Sequence, residues 1–161
     1  MKAEATSHHQ WLRRLIGEWT FEGEADMGDG QPAVKSRGTE TVRALGDVWV
    51  ICEGQTTMPD DGGTGYMVMT IGYSADKGAY VGNWVGSMMT HQFVYEGQIN
   101  GCGDALPLMT EGPSFAADGK TVRYCDTITF VNDDERWLTS SVRQEDGSWK
   151  QFMKMVYKRR K

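Results

Sequence analysis

The sequence predicts an all-β protein, an antiparallel up-and-down β-barrel of about ten strands with a short N-terminal helix plugging one end. Helical spacing of apolar residues is confined to residues 7–16, and most of the chain after it alternates apolar and polar residues with a period of two. The connections between these segments are too short to hold the crossover helices that parallel strands need. Such a meander closes most simply on itself, because closure removes the exposed strand edges that invite aggregation.

The helix is predicted over residues 7–16. Ser7 followed by Gln10 is typical of a capping box, and Gly17 is placed to end the helix. Four apolar residues share one face: Trp11, Leu12, Leu15 and Ile16. We expect this face to cover one end of the barrel.

The strand pattern recurs in ten segments: residues 18–25, 34–45, 48–57, 65–73, 79–86, 91–99, 105–111, 121–131, 136–144 and 149–158. Turn-rich loops are predicted at 26–33 and 58–64. The fourth and fifth strands form the clearest hairpin, with Gly78 placed for a positive φ.

Composition favours one domain over residues 1–161, with 39% of residues hydrophobic and 24% charged. The net charge of -5 argues against a nucleic-acid partner or an anionic membrane surface. Neither a membrane-length apolar run nor an apolar signal region is present, so the expected location is the cytoplasm. Cys52, Cys102 and Cys125 lack paired short spacings, which favours reduced thiols over disulfides or a zinc site.

The step from the helix into the first strand, Gly17-Glu18-Trp19, carries a family resemblance. A Gly-x-Trp step at this place resembles the calycin superfamily of lipocalins, fatty-acid-binding proteins and haem-binding nitrobindins. The segments LIGEWTFEGEA, GSMMTHQFVYEG and LMTEGPSF more narrowly resemble a bacterial family called domain of unknown function 1579, over nearly the whole chain. The resemblance implies a barrel without an established activity. It also implies that Trp19 closes one end beneath Arg159 or Arg160, although Trp19 as an ordinary core aromatic is equally compatible.

Methionine and aromatic side chains suggest what the interior could hold. The chain has 10 methionines, whose flexible thioethers suit a ligand cavity and equally suit a core that fills itself. We expect a hollow region near Trp84, His91 and Tyr95. Ten residues are candidates for ligand contacts: Trp49, Glu53, Met69, Trp84, Met88, Met89, His91, Tyr95, Glu111 and Tyr124.

Carboxylates on the strands leave two interpretations open. Glu-Gly steps recur at 22–23, 53–54, 96–97 and 111–112. The glycines are most simply barrel kinks with the glutamates facing water, whereas a functional interpretation puts Glu53 or Glu111 inside. Asp126 is similarly ambiguous, since it alternates with apolar residues.

His91 bears on the choice between function classes. An acid–base enzyme would pair it with Glu53, Glu111 or Asp126, but no nucleophile-elbow context is present and the sequence favours a non-catalytic protein. Resemblance to nitrobindins implies a haem-ligating histidine in the C-terminal part, where this chain has none. The expected function is binding of a small apolar or amphipathic molecule, with the cofactor unknown and no metal site. Haem binding, a filled barrel with a structural role and a homodimer stay open.

Overall fold

The computed structural model describes residues 1–28, 30–58 and 62–161. The loops predicted at 26–33 and 58–64 include positions 29 and 59–61, which lie outside the described residues. These described residues form one helix and ten strands in chain order: α1 Ser7–Arg13, β1 Gly17–Ala25, β2 Val34–Leu45, β3 Trp49–Thr57, β4 Thr64–Ser74, β5 Ala79–Gly86, β6 Phe93–Gly97, β7 Ala105–Pro113, β8 Thr121–Asn132, β9 Glu135–Arg143 and β10 Trp149–Arg159.

The ten strands form one closed antiparallel barrel, which confirms the predicted fold class. Every strand pairs with its neighbours in sequence, and β1 pairs with β10 to close the ring, with Trp19 opposite Arg159. Gly78 has a φ of 61° in the β4–β5 hairpin, as its position predicts. Closure gives each described strand a partner on both sides, as expected for a meander of this length.

The helix begins at Ser7, as predicted, but it is shorter than predicted and has a different N-cap. It ends at Arg13, and residues 14–16 continue as tight turns in which Leu15 N–H donates to the Leu12 carbonyl. The N-cap is Thr6 rather than Ser7, and the His9 side chain accepts from the Thr6 backbone N–H at 2.9 Å. The capping box is therefore formed by Thr6 and His9, one position before the predicted one. In the part of the chain that the structure describes, no helix is long and apolar enough to cross a membrane.

Strand β6 is also shorter than predicted, and its pairing with β7 is brief. It covers five residues rather than the whole of 91–99. Its ladder with β7 consists of two residue pairs, Glu96 with Met109 and Gly97 with Leu108. The barrel wall is therefore least tied together between the first half of β6 and the second half of β7.

Strand alternation settles the orientation of the Glu-Gly steps. The glutamates at 22, 53, 96 and 111 are exposed, which confirms that they face water. The glycines face inward, and a Cβ built at Gly97 would lie 1.9 Å from the Pro107 carbonyl oxygen, so the neighbouring strand leaves no room for a side chain there. The interior is filled by a cluster of buried side chains that includes Ile71, Tyr80 and Leu106.

Candidate functional site

The barrel end that carries α1 is closed by Trp19, and we call it the sealed end. Trp19 is 0% exposed, and its indole N–H donates to the Leu15 carbonyl at 2.8 Å. The guanidinium carbon of Arg159 lies 4.2 Å from the Trp19 ring centroid. Arg159 also donates to the backbone carbonyls of Arg14 and Ile16, at 2.9 and 2.7 Å. The predicted cation–π closure is confirmed, with Arg159 as the cation.

A buried ion pair that sequence reasoning missed reinforces the sealed end. Arg136 is 3% exposed and donates to the carboxylate of Glu40. Its guanidinium carbon lies 3.9 Å from the Tyr157 ring centroid and 4.7 Å from that of Trp19. Burial raises the pKa of the neighbouring Cys52 thiol, and the Glu40 charge adds to the shift. Arg136 alternates with Leu138 and Ser140 on β9, which was the available signal that it faces inward.

The helix and the turn that follows it pack across the same end through Leu12 and Leu15, which are fully buried. Trp11 lies edge-on to Phe130, with ring centroids 5.0 Å apart. Its indole N–H donates to the Gly103 carbonyl at 2.8 Å. The predicted plug is thus held to the loop between β6 and β7 as well as to the core.

The opposite end, which we call the open end, carries a chain of aromatic rings. Its six members, the open-end cluster, come from separate strands and loops: Trp84, His91, Phe93, Phe115, Tyr124 and Phe152. Ring centroids are 5.8 Å apart for Trp84 and Phe93, 6.2 Å for Phe93 and Tyr124, and 4.7 Å for Phe115 and Phe152. Phe115 is 48% exposed, whereas Tyr124 is buried. The cluster therefore runs from solvent into the barrel.

Thioethers and rings at this end lie over inward-facing glycines. A Cβ built at each glycine would meet the covering side chain: Gly54 with Met67 at 3.2 Å, Gly65 with Met58 at 2.7 Å, Gly86 with Met88 at 2.4 Å, and Gly112 with Phe93 at 2.5 Å. The expected hollow region is thus occupied by side chains. Most of these are methionines, which can change shape at little cost.

A groove of about 590 Å³ opens at this end, between the loop after β7 and the turn after β9. Phe115 and Tyr124 line it together with the charged side chains of Lys120, Arg143 and Asp146. The open end thus joins an apolar interior to a polar rim, a combination typical of small-molecule sites.

His91 stands at the rim of the open end and precedes β6. Its Nε2–H donates to the Glu111 backbone carbonyl at 3.0 Å, and its ring lies edge-on to Phe93 at 4.6 Å. A haem iron would need a free lone pair on Nε2, which instead carries the proton of this hydrogen bond. The residues present therefore do not fit haem. Among the described residues, no ion pair joins His91 to a carboxylate, and no cluster of three metal-ligating side chains occurs.

Polar groups also lie in the middle of the barrel. The Tyr95 hydroxyl donates to Asp126 Oδ2 at 2.5 Å, and Ser140 also hydrogen-bonds this carboxylate. Burial raises the pKa of Asp126, and these two hydrogen bonds act in the opposite direction. Thr110 lies nearby on β7, and its hydroxyl oxygen is buried without a hydrogen-bond partner in the part of the chain that the structure describes.

The ten predicted contact residues divide between inside, rim and outside. Four face the interior: Met69, Trp84, Tyr95 and Tyr124. Met88 and Met89 lie exposed in the loop after β5, beside His91 at the rim. Trp49, Glu53 and Glu111 point outward, which corrects the expectation that they line the interior.

Alternation gives the reason for the correction on β3. Val50 and Cys52 take the inner positions, which leaves Trp49, Ile51 and Glu53 outside. Trp49, 39% exposed, lines an outer groove of about 400 Å³. Glu53 lies 3.4 Å from Arg43 in an exposed ion pair.

Comparisons with known proteins agree with the fold. A family model described as a protein of unknown function, DUF1579, matches residues 4–159. The structure of Rv2717c from M. tuberculosis is similar, with a TM-score of 0.65 at 15% identity over 98% of this chain and 100% of that chain. The S-type phycobiliprotein lyase from Guillardia theta gives a TM-score of 0.60 at 11% identity over 94% of this chain and 92% of that chain. No curated protein matches.

Proposed function

This chain belongs to the DUF1579 family of proteins of unknown function, and we propose that its barrel binds a small apolar or amphipathic molecule at the open end. One observation carries the proposal: the open-end cluster runs without interruption from the exposed Phe115 to rings inside the barrel. At 15% and 11% identity, the two structural relatives support the fold and leave the ligand to be inferred from the site.

The chemistry of the open end favours an apolar or amphipathic ligand. Aromatic rings provide large, rigid contact surfaces, and apolar area buried against them contributes about 25 cal/mol per Å². Methionines over the inward-facing glycines can move aside and repack around a ligand. Met67 lies on Gly54 of β3, and Met88 lies on Gly65 of the neighbouring β4 as well as on Gly86 of β5, so their displacement would enlarge one continuous space. Lys120 and Arg143 at the rim would meet any polar part that stays outside.

A catalytic role has less support from the same residues. The acid–base alternative needs His91 beside a side-chain carboxylate, and Glu53 and Glu111 both point outward. Asp126 is engaged by Tyr95 and Ser140 in the middle of the barrel. The site therefore fits binding better than proton transfer.

Titration with the neutral fluorescent probe N-phenyl-1-naphthylamine tests the proposal. We expect saturable fluorescence enhancement and quenching of tryptophan emission. Phe115→Ala should weaken probe binding about tenfold, because a ring that the probe would bury is lost. Trp49→Ala is the matched control, since Trp49 is a similarly exposed aromatic in the outer groove, and it should leave probe affinity within about twofold.

Two results would contradict the proposal. Absence of saturable probe binding would favour a filled barrel with a structural role. A loss of affinity in Trp49→Ala but not in Phe115→Ala would move the site to the outer groove.

A further inference from the structure

Resting on the proposed function, we propose that the ligand carries an uncharged hydrogen-bonding group, such as a hydroxyl, ketone or amide, and that this group binds the Thr110 hydroxyl beneath Phe93. The apolar body of the ligand would then lie in the open-end cluster.

Thr110 supplies the first reason. Its side chain lies on the inner face of β7 and is 8% exposed, and its Oγ1 has no hydrogen-bond partner among the described residues. Buried hydroxyls in folded proteins nearly always have a partner, because an unpaired one lowers stability. The neighbouring Tyr95 hydroxyl is already committed to Asp126. The other buried side-chain polar atom without a partner among the described residues, Arg136 Nε, lies at the sealed end. Thr110 is therefore the group that a ligand entering from the open end could satisfy at no loss to the protein's own bonds.

The short ladder between β6 and β7 provides a route to Thr110. Their ladder ends at Glu96 and Met109, so the first half of β6 is not tied to β7 by sheet pairing. Gly112 lies two residues beyond Thr110 on the same face, and the Phe93 ring occupies the position where a Gly112 side chain would be. Displacement of Phe93 would uncover the inner face of β7 from the open end down to Thr110.

His91 fastens this part of the wall. Its Nε2–H bond to the Glu111 carbonyl links the segment before β6 to β7, in a stretch without ladder pairs. One side-chain hydrogen bond is easier to break than a full β-ladder. The ring of Phe93 can thus move without breaking the backbone hydrogen bonds between barrel strands.

The charged side chains inside the barrel indicate which class of polar group the ligand carries. The inward-facing arginines among the described residues, Arg136 and Arg159, both lie at the sealed end and are engaged by Glu40 and by backbone carbonyls. A ligand carboxylate at Thr110 would be buried without a cation, which is unfavourable. A ligand ammonium would need Asp126 ionised, and burial raises the pKa of that carboxyl. An uncharged group meets neither penalty.

The experiment measures displacement of N-phenyl-1-naphthylamine by three ligands with the same chain, 1-decanol, decanoate and decylamine, at neutral pH. We expect 1-decanol to bind at least about tenfold more tightly than either charged analogue. Thr110→Val should weaken the affinity for 1-decanol about fivefold and leave the affinity for the probe within about twofold, because only the hydroxyl is lost. Thr110→Ser, which keeps the hydroxyl, should bind 1-decanol like the unmodified protein.

A stability measurement separates this role from a structural one. Thr110→Val should raise the urea midpoint, because it removes an unpaired buried hydroxyl. A lowered midpoint would mean that the hydroxyl is already satisfied within the fold and would overturn the inference.

The remaining outcomes are also decisive. Tighter binding of decanoate or decylamine, or unchanged 1-decanol affinity in Thr110→Val with probe binding intact, would overturn the Thr110 subsite alone. Failure of the probe to bind the unmodified protein would overturn the proposed function together with it.

Discussion

The two ends of the barrel use the same kinds of side chain to opposite effect. At the sealed end, Trp19 is covered by Arg159 and Arg136, and their guanidinium groups are held by Glu40 and by backbone carbonyls. At the open end, rings meet other rings, and Phe115 remains 48% exposed. The sealed end is fixed by directional contacts, whereas the open end depends on adaptable apolar ones.

This difference indicates that the sealed end contributes mainly to stability and the open end mainly to binding. Buried charges resist rearrangement, because moving one partner leaves the other unpaired in a low-dielectric interior. Methionine and aromatic side chains over glycines can be displaced without leaving a buried charge behind. We therefore expect substitutions at the sealed end to affect stability and those at the open end to affect binding.

The largest expected effect comes from breaking the buried ion pair. Arg136→Met should lower the free energy of unfolding by about 3–5 kcal/mol, because Glu40 would be left buried and unpaired. Urea denaturation followed by tryptophan fluorescence measures the change. Arg43→Met is the matched control, since Arg43 and Glu53 form a pair with side chains 52% and 51% exposed, and its effect should stay below about 1 kcal/mol.

The double variant Glu40→Leu with Arg136→Met tests the cause of that loss. It should recover much of the stability, because it removes both buried charges. If Arg136→Met is as mild as Arg43→Met, the sealed end does not depend on this pair.

A smaller contrast compares one aromatic from each end. Trp11→Ala should lower the free energy of unfolding by about 3 kcal/mol, because it removes an edge contact with Phe130 and the bond to the Gly103 carbonyl. Phe115→Ala should change it by less than about 1 kcal/mol, since much of that ring is already in water. Thermal unfolding of both variants provides the measurement. Equal losses would show that the two ends are equally structural.

The fold could be predicted from the sequence because its signals are local. Alternation, turn residues such as Gly78 and the short connections each constrain neighbouring residues, and together they leave an antiparallel meander. Closure followed from the number of strands. The helix boundary was less certain, because Leu15 and Ile16 continue the apolar spacing although their backbone has already left the helix.

The candidate site was only partly predictable. In the segment from Trp49 to Cys52 both faces are apolar, so alternation alone does not say which residues face inward. The partners Arg136 and Glu40 are 96 residues apart and meet only when the barrel closes. Phe115 lies in a loop, and Phe152 lies where the pairing of β9 and β10 shifts register. No short-range pattern links these positions.

The smallest expected effect concerns Asp126, which lies between the two ends. Its folded-state pKa is raised by burial above the usual value of 3.8, so the folded protein keeps this proton to higher pH than the unfolded chain. Stability is therefore lost as pH rises from about 3.8 through the folded-state pKa.

Asp126→Asn cannot ionise at this position. The difference between its free energy of unfolding and that of the unmodified protein should therefore shift in favour of the variant over this pH range and stay constant at lower pH. Tyr95→Phe should extend the loss to higher pH and so enlarge it, because it removes a donor that favours the carboxylate. Urea midpoints measured at a series of pH values test both expectations. Parallel curves for Asp126→Asn and the unmodified protein would show that this carboxyl ionises as freely in the barrel as in water. The middle of the barrel would then resemble the solvent-exposed open end and not the sealed end.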